Sequence, residues 1–278
     1  MNTCKGAVRL IYAQRWILLA TVGFASMMQG CASKAESGGA TAGRAEIVTE
    51  SDESSERKRA RIRVELAMGY FEQGKTTIAL DEIKQAIVAD PTFVDAYSLR
   101  GLVYMRLNDF AFAEDSFNKA LSIKPKDASV LHNLGWLKCQ QALYPQALSH
   151  FTQALVDPLY GERAKTLMAQ GLCQLRAGMS AEAEASLLKS YEYDAGNPVT
   201  GYNLAKVLYQ NNDFIRAQFY IRRLNNSELA NSESLWLGVK VEKRLFNTEA
   251  MAQLAAQLEK RFPQSVETAL YRRGAFSE

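Results

Sequence analysis

Cysteine and histidine are the residue types in this chain that most often carry nucleophilic, redox or metal chemistry. Four cysteines and two histidines occur in 278 residues: Cys4, Cys31, Cys139, Cys173, His132 and His150. No Cys-x-x-Cys pair, zinc spacing, His-Glu-x-x-His pattern or Gly-x-Ser-x-Gly elbow is present. We therefore predict a protein that is not an enzyme and uses no metal, cofactor or small-molecule substrate.

The first cysteine with a recognisable chemical context is Cys31, which follows Met28-Gln29-Gly30. A positive leading region and the apolar stretch at residues 16–28 precede it, and this stretch is shorter than the ~20 residues of a spanning helix. The arrangement resembles a bacterial lipobox, in which the cysteine thiol is acylated and becomes the mature N-terminus. We predict a signal peptide at residues 1–30 and lipidation of Cys31.

Residue 32 is Ala, whereas Asp at this place is typical of lipoproteins kept at the inner membrane of enteric bacteria. By that resemblance we expect an outer-membrane protein with its body in the periplasm. Residues 31–56 are rich in Ser, Gly, Ala and Glu, which predicts a flexible tether. Three of the 33 basic residues precede Cys31, which leaves 30 basic against 30 acidic residues and argues against nucleic-acid binding.

The two remaining cysteines, Cys139 and Cys173, fall on the first helices of adjacent predicted repeats. An oxidising compartment could join them. Packed helices have axes about 8–10 Å apart, and a disulfide needs Cα atoms within about 7 Å, so we expect two buried or partly buried thiols, with a disulfide as the alternative. His132 falls at a groove-lining position, where we expect a solvated side chain rather than a binding residue.

A pattern of small and bulky residues recurs with a period of 34 through the rest of the chain. Ala67, Gly101 and Gly135 are its small residues, and each is followed by Ala, a bulky residue and Ala, with a proline near the end of the unit. Later copies keep the phase around Gly171, Ala205 and Gly238. This is the tetratricopeptide (TPR) pattern, in which two antiparallel helices approach closely and proline ends the second.

The predicted fold is therefore all-α, a right-handed TPR solenoid. Six repeats occupy residues 57–263, at about 60–93, 94–127, 128–162, 164–197, 198–230 and 231–263. Residues 264–278 are predicted to be a capping helix and tail.

First helices of TPR units line a groove, and large apolar side chains there are typical of partner surfaces. The predicted partner-binding residues are Met68, Phe71, Leu102, Met105, Trp136, Met168, Leu172 and Tyr202. A carboxylate clamp of the chaperone-binding type is not expected. Asn133 and Asn203 fit it in residue type, but Val64 and Ser98 occupy places where basic or amide side chains are needed.

The combination of Gly30-Cys31, a short polar tether and about six TPR units resembles the PilF/PilW family of type IV pilus biogenesis and stability lipoproteins, or pilotins. The resemblance is most specific in residues 69–91 and 100–125. It implies binding of secretin subunits, promotion of their outer-membrane localisation and multimerisation, and a role in twitching motility. The alternative is a TPR lipoprotein that scaffolds cell-wall enzymes or outer-membrane protein assembly.

Overall fold

The computed structural model describes residues 52–276, and these form thirteen α-helices without a strand. The all-α prediction is confirmed. In chain order the helices are α1 (Ser55–Glu72), α2 (Thr76–Ala89), α3 (Val94–Arg106), α4 (Phe110–Ile123), α5 (Ala128–Gln140), α6 (Tyr144–Ala154), α7 (Arg163–Arg176), α8 (Ser180–Tyr193), α9 (Pro198–Gln210), α10 (Phe214–Asn225), α11 (Ser232–Arg244), α12 (Thr248–Arg261) and α13 (Val266–Arg272).

The helical body begins earlier than the sequence analysis placed it. Helix α1 starts at Ser55, two residues inside the segment predicted to be tether. The Ser54 side chain accepts a hydrogen bond from the backbone N–H of Arg57 at 3.2 Å, so the serine that suggested a linker is a helix cap. The predicted signal peptide, Cys31 and the tether up to residue 51 lie outside the described residues.

Each repeat consists of two helices whose contact depends on a small residue facing a bulky one. A Cβ atom added at Gly101 would lie 2.4 Å from the Phe117 ring, and one added at Gly135 would lie 2.8 Å from the Phe151 ring. Both rings are completely buried. The predicted pairing of small and bulky positions in these repeats is therefore confirmed.

The close approach of Gly101 to the Phe117 ring predicts that two glycine substitutions will differ strongly in their effect on stability. Gly101→Ala should lower the free energy of unfolding by about 1–3 kcal/mol, because the buried Phe117 ring cannot move away from the new methyl group. Gly69→Ala is the matched control: Gly69 also lies in a first helix, but nothing is within 4 Å of its added Cβ. Alanine there should stabilise the helix by about 0.5–1 kcal/mol. Equal urea midpoints for the two variants would contradict this account of the repeat core.

The turn between the two helices of each repeat uses one left-handed residue. The residues with positive φ recur at the same place in all six repeats: Gly74, Asn108, Ala142, Gly178, Asn212 and Phe246. Glycine and asparagine adopt this conformation readily, whereas a bulky side chain is strained there. Phe246, with φ of 58° and 90% exposed, is therefore the least favourable residue of the set.

Cys139 on α5 and Cys173 on α7 form a disulfide, with 5.8 Å between their Cα atoms. The expectation of two thiols was wrong. It compared the separation of about 8–10 Å between helix axes with the limit of about 7 Å for a disulfide, but that limit applies to the distance between Cα atoms. Each Cα lies about 2.3 Å from its own axis, so Cα atoms that face each other are much closer than the axes. The disulfide joins the first helices of the third and fourth repeats.

The chain after the sixth repeat forms the short helix α13, which packs against α11 and α12. The ring centroids of Trp236 and Phe276 are 5.2 Å apart, and Tyr271 contacts both rings at longer distances. Arg272 forms an ion pair with Glu259 on α12 at 2.8 Å. The predicted capping helix is thus present, and it is held by aromatic contacts as well as by polar ones.

Candidate protein-binding surface

The first helices of the repeats form one continuous layer, because each packs against the first helix of the next repeat. One side of this layer contacts the second helices. We call the other side the first-helix face; it consists of residues on α1, α3, α5, α7, α9 and α11 that point away from the second helices. Helix α13 extends the layer beyond α11.

One position of the first-helix face can be followed through all six repeats. Its residues are Met68, Leu102, Trp136, Leu172, Lys206 and Lys240, separated by 34 residues except for a spacing of 36 between Trp136 and Leu172. The position is apolar in the first four repeats and lysine in the last two. The face therefore divides into an apolar part and a basic part.

Seven of the eight predicted partner-binding residues are at least partly accessible. Met68 is 37% exposed, and six are partly buried: Phe71, Leu102, Trp136, Met168, Leu172 and Tyr202. Partial burial is expected for side chains that pack against a neighbouring first helix while keeping one edge open. These seven residues remain predicted binding residues.

Met105 does not belong to this surface. It is only 7% exposed and packs in a core cluster with Phe117, Leu134 and Leu137. Met105 and the buried Cys139 occupy equivalent positions in the second and third repeats, and both side chains face the neighbouring first helix. Phe71 has the same register but remains partly accessible. We therefore assign Met105 to the core.

Two aromatic residues of the apolar part lie beneath arginine side chains. The Arg106 guanidinium carbon is 3.7 Å from the centroid of the Phe71 ring, and that of Arg176 is 4.9 Å from Trp136. Arg106 also donates a hydrogen bond to the Phe71 carbonyl oxygen. Such cation–π contacts contribute about 0.5–1 kcal/mol when exposed. A partner at these rings would meet guanidinium groups as well as apolar surface.

The basic part of the first-helix face contains a cleft of about 570 Å³, enclosed by α9, α11 and α13. We call it the C-terminal cleft. Its aromatic and charged lining residues are Tyr202, Lys206, Tyr209, Glu233, Trp236, Lys240, Arg244, Glu267 and Phe276. Only Tyr202 was among the predicted binding residues. The switch to lysine at the repeated position was a sequence signal that could have found Lys206 and Lys240.

Charge and burial perturb two side chains of the C-terminal cleft. Burial, and then the charges of Glu233 and Glu267, raise the pKa of Tyr202 to about 12. Burial, and then the positive charge of Lys206, lower the pKa of Lys240. The acidic side chains thus act near Tyr202, whereas Lys240 lies in a positive environment.

His132 is neither solvated nor part of the accessible surface. It is 6% exposed, and its Nδ1 lies 2.9 Å from the Thr166 hydroxyl oxygen, which also contacts the Tyr160 hydroxyl at 3.1 Å. Burial, and then the charge of Lys165, lower the pKa of His132 to about 4. The expectation of a solvated histidine was wrong because the fourth repeat covers the ring.

No Gly-rich phosphate loop is predicted from the sequence, yet residues Gly69 to Thr76 match the Gly-x-x-x-x-Gly-Lys-Thr spacing of one. A phosphate loop follows a strand, and its free backbone N–H groups bind the phosphates. Here Gly69 lies inside α1, and only Gly74 and Lys75 separate the end of that helix and its cap from α2. The match therefore reflects a TPR turn.

Within residues 52–276, no three His, Cys, Asp or Glu side chains are grouped so that they could hold a metal ion. In the same range no helix has both the length and the apolar character needed to cross a membrane.

Comparison with known proteins connects this architecture to a family. The tetratricopeptide repeat model matches residues 94–127. The type IV pilus assembly protein PilF of Pseudomonas aeruginosa is 27% identical over 204 residues, which cover 73% of this chain and 81% of that protein. An uncharacterised protein of Haemophilus influenzae is 28% identical over 118 residues, 42% of this chain and 66% of that protein.

Solved structures also show similarity to PilF, and to PilW. The structure of P. aeruginosa PilF has a TM-score of 0.72 and 25% identity, covering 80% of this chain and 100% of that one. The structure of PilW, described as a widely conserved type IV pilus biogenesis factor, has a TM-score of 0.67 and 30% identity, covering 75% of this chain and 96% of that one. This chain therefore belongs to the family of type IV pilus biogenesis TPR proteins that includes PilF and PilW.

Proposed function

We propose that the protein is a pilotin: an outer-membrane lipoprotein that binds secretin subunits through the apolar part of its first-helix face. It promotes their localisation in the outer membrane and their multimerisation, and so supports type IV pilus biogenesis and twitching motility. Similarity to PilF and PilW over most of the chain is the observation that carries this proposal.

The apolar part of the first-helix face supports a protein partner. Met68, Leu102, Trp136 and Leu172 follow one another in the same register and remain at least partly accessible. Methionine and aromatic side chains adapt to apolar partner segments, and contiguous exposed apolar surface is typical of binding sites. An amphipathic helix or an extended segment of the secretin is a suitable occupant.

Two features support a location outside the cytoplasm. Gly30-Cys31 followed by Ala32 resembles the processing site of an outer-membrane lipoprotein. The Cys139–Cys173 disulfide is typical of proteins in an oxidising compartment such as the periplasm. Acyl chains on Cys31 would hold the protein at the membrane, since two or more lipid anchors give stable attachment.

Cys31→Ser tests the lipid anchor. The variant should incorporate no radioactive palmitate and should leave the outer-membrane fraction, because serine lacks the thiol to which the lipid is attached. Cys4→Ser is the matched control and should be labelled like the wild type. Equal labelling of Cys31→Ser and the wild type would exclude Cys31 as the lipidation site.

Phe71→Ala combined with Trp136→Ala tests the partner surface. Interface aromatics that act as hot spots contribute about 2 kcal/mol or more, equivalent to roughly 30-fold in affinity. We expect at least this loss in binding of the purified secretin subunit. Immunoblots of outer-membrane fractions should show correspondingly fewer secretin multimers.

The matched control removes two exposed phenylalanines from second helices. Phe112 and Phe219 are 57% and 61% exposed on α4 and α10, and their combined replacement by Ala should leave binding unchanged. Circular dichroism must show that both double variants keep their helical content. Full secretin assembly by a folded Phe71→Ala, Trp136→Ala variant would contradict the proposed surface. Capture of cell-wall enzymes instead of secretin would favour a scaffold function.

A further inference from the structure

A second cavity, of about 680 Å³, lies between the second helices α6 and α8, with residues of α7 beneath them. We call it the α6–α8 groove. Its volume falls within the range of small-ligand sites. The groove shares no lining residue with the C-terminal cleft, and its walls are second helices rather than the first-helix face. The proposed secretin surface therefore does not account for it.

The floor of the α6–α8 groove is polar and lacks internal partners. Gln170 on α7 and Ser186 on α8 both line it. Ser186 is only 8% exposed and Gln170 is partly buried, yet within residues 52–276 neither side chain makes a hydrogen bond. Buried amide and hydroxyl groups in native proteins almost always have partners. A ligand that offers both a donor and an acceptor would supply them here.

The other repeats satisfy or avoid such a polar floor. In the second repeat the position of Gln170 is occupied by Arg100, whose Nε donates a hydrogen bond to the Ser116 hydroxyl at 2.8 Å. The remaining four repeats have leucine or glycine at this position: Leu66, Leu134, Leu204 and Gly238. An amide without a partner is therefore particular to the fourth repeat.

The charges around the α6–α8 groove nearly balance. Lys189 and Glu192 lie three residues apart on the exposed side of α8, and neither forms an ion pair with another described residue. Arg163 also lines the groove, but its Nη1 already donates to the carbonyl oxygens of Leu155 and Asp157 at 2.9 and 2.8 Å. Such a lining suits a ligand with many hydrogen-bonding groups and little net charge. A polyanion is disfavoured by the open Glu192 carboxylate.

An aromatic ring and aliphatic side chains complete the lining. Tyr193 is 61% exposed, so most of its side chain is open to solvent, and Leu155, Leu167 and Ala185 add apolar surface. A pyranose sugar has an apolar C–H face, which packs on an aromatic ring, and polar edges. An amphipathic peptide helix is less suitable, because it needs a continuous apolar groove, whereas amide, hydroxyl and charged groups interrupt this one.

We propose that the α6–α8 groove binds an N-acetylhexosamine unit of a cell-wall glycan strand. The sugar ring packs against Tyr193, and its acetamido group reaches Gln170 and Ser186. An acetamido group has the donor and the acceptor that the floor lacks, and its methyl group suits the adjacent apolar surface. Every ring of the cell-wall glycan carries such a group. This inference rests on the proposed periplasmic location, where the polymer is available, and is independent of secretin binding.

The test compares two soluble trisaccharides by isothermal titration calorimetry with the purified full-length protein. Tri-N-acetylchitotriose carries an acetamido group on every ring, whereas cellotriose has the same linkage with a hydroxyl group in each of these places. We expect saturable binding of tri-N-acetylchitotriose with a Kd of about 1 mM or tighter, and binding of cellotriose at least about tenfold weaker.

Two variants separate the acetamido contact from the aromatic contact. Gln170→Leu should erase the preference for tri-N-acetylchitotriose, and it should fold because leucine occupies the equivalent position in three other repeats. Tyr193→Ala should weaken both trisaccharides, since both present a sugar face to the ring. Phe219→Ala is the matched control on α10, because Phe219 is also 61% exposed and should leave binding unchanged. Circular dichroism must show that each variant keeps its helical content.

Sedimentation with purified cell-wall sacculi tests the polymer itself. The wild type should sediment with the sacculi and Tyr193→Ala should remain in the supernatant. Binding to lipopolysaccharide vesicles but not to sacculi would contradict the cell-wall source.

Three results with the trisaccharides would overturn the site: no saturable binding at several millimolar, equal affinity for the two sugars, or an unchanged preference in folded Gln170→Leu. If Gln170→Leu does not fold, unchanged affinity in Tyr193→Ala has the same consequence, because Tyr193 is exposed and its loss leaves the core intact. Failure of secretin assembly to depend on Phe71 and Trp136 would leave these measurements unaffected.

Discussion

Replacing Cys139 and Cys173 together by alanine is expected to lower the free energy of unfolding by about 4 kcal/mol. The disulfide closes a segment with a sequence separation of 34 residues, and loss of this restraint gives the unfolded chain more conformational freedom. Alanine is the appropriate replacement, because both cysteines are at least 98% buried and the hydroxyl of serine would need a partner there. Urea unfolding followed by circular dichroism measures the effect.

Reduction of the wild type provides the control for packing. Dithiothreitol should lower the unfolding midpoint of the wild type but leave that of the double alanine variant unchanged. The variant also loses two buried sulfur atoms, so the difference between reduced wild type and variant isolates the packing contribution. An oxidised wild type that unfolds at the same urea concentration with and without the reductant would show that the crosslink contributes little.

The repeat core could be predicted from the sequence because its contacts recur within each unit. Gly101 faces Phe117, and Gly135 faces Phe151, so the same pair of positions meets 34 residues later. The small, bulky and proline positions therefore recur at a regular spacing in the sequence. The residue types alone specify which sides of the two helices approach each other.

Contacts between repeats were harder to predict because they depend on how successive first helices are placed side by side. Met105 and His132 were assigned to the surface by register, yet the following repeat covers both. The Cys139–Cys173 disulfide likewise depends on the separation of facing Cα atoms, which a pattern of residue types does not specify. The spacing of 36 between Trp136 and Leu172 adds a change of phase at this junction.

The C-terminal cleft required a different kind of information. The repeated position marks Lys206 and Lys240, but nothing in the balanced charge of the sequence indicates that a cleft lies beside them. Helix α13 supplies Glu267 and closes one side of the cleft. The packing of Phe276 against Trp236 places the Phe276 ring beside the cleft. Such contacts near the end of the chain do not recur in other repeats and leave no periodic signal.

The same part of the solenoid contains a completely buried carboxylate on α11. Glu242 accepts hydrogen bonds from Arg222 Nε at 2.6 Å and Nη2 at 3.0 Å, and from Gln218 Nε2 at 2.9 Å. Arg222 and Gln218 both lie on α10, so the carboxylate joins the fifth repeat to the sixth. Its burial is tolerated because these donors replace the water that it loses.

Arg222→Ala should lower the free energy of unfolding by about 3 kcal/mol, because it leaves the buried Glu242 carboxylate without its positive partner. This is the lower end of the range for buried pairs, since the Arg222 side chain is 45% exposed and water can partly take its place. Arg216→Ala is the matched control on the same helix. Arg216 pairs with Glu184 and Asp213 nearer the surface, so its loss should cost less than about 1 kcal/mol.

A second substitution separates the buried charge from the lost side-chain packing. Adding Glu242→Met to Arg222→Ala removes the carboxylate and fills its space with an apolar side chain of similar length. The double variant should regain most of the stability that Arg222→Ala loses, because replacing a buried ion pair by apolar residues is often neutral. Urea unfolding of the wild type, Arg222→Ala, Arg216→Ala and the double variant measures these differences in stability. If the double variant is no more stable than Arg222→Ala, loss of arginine packing rather than the unpaired carboxylate is the cause.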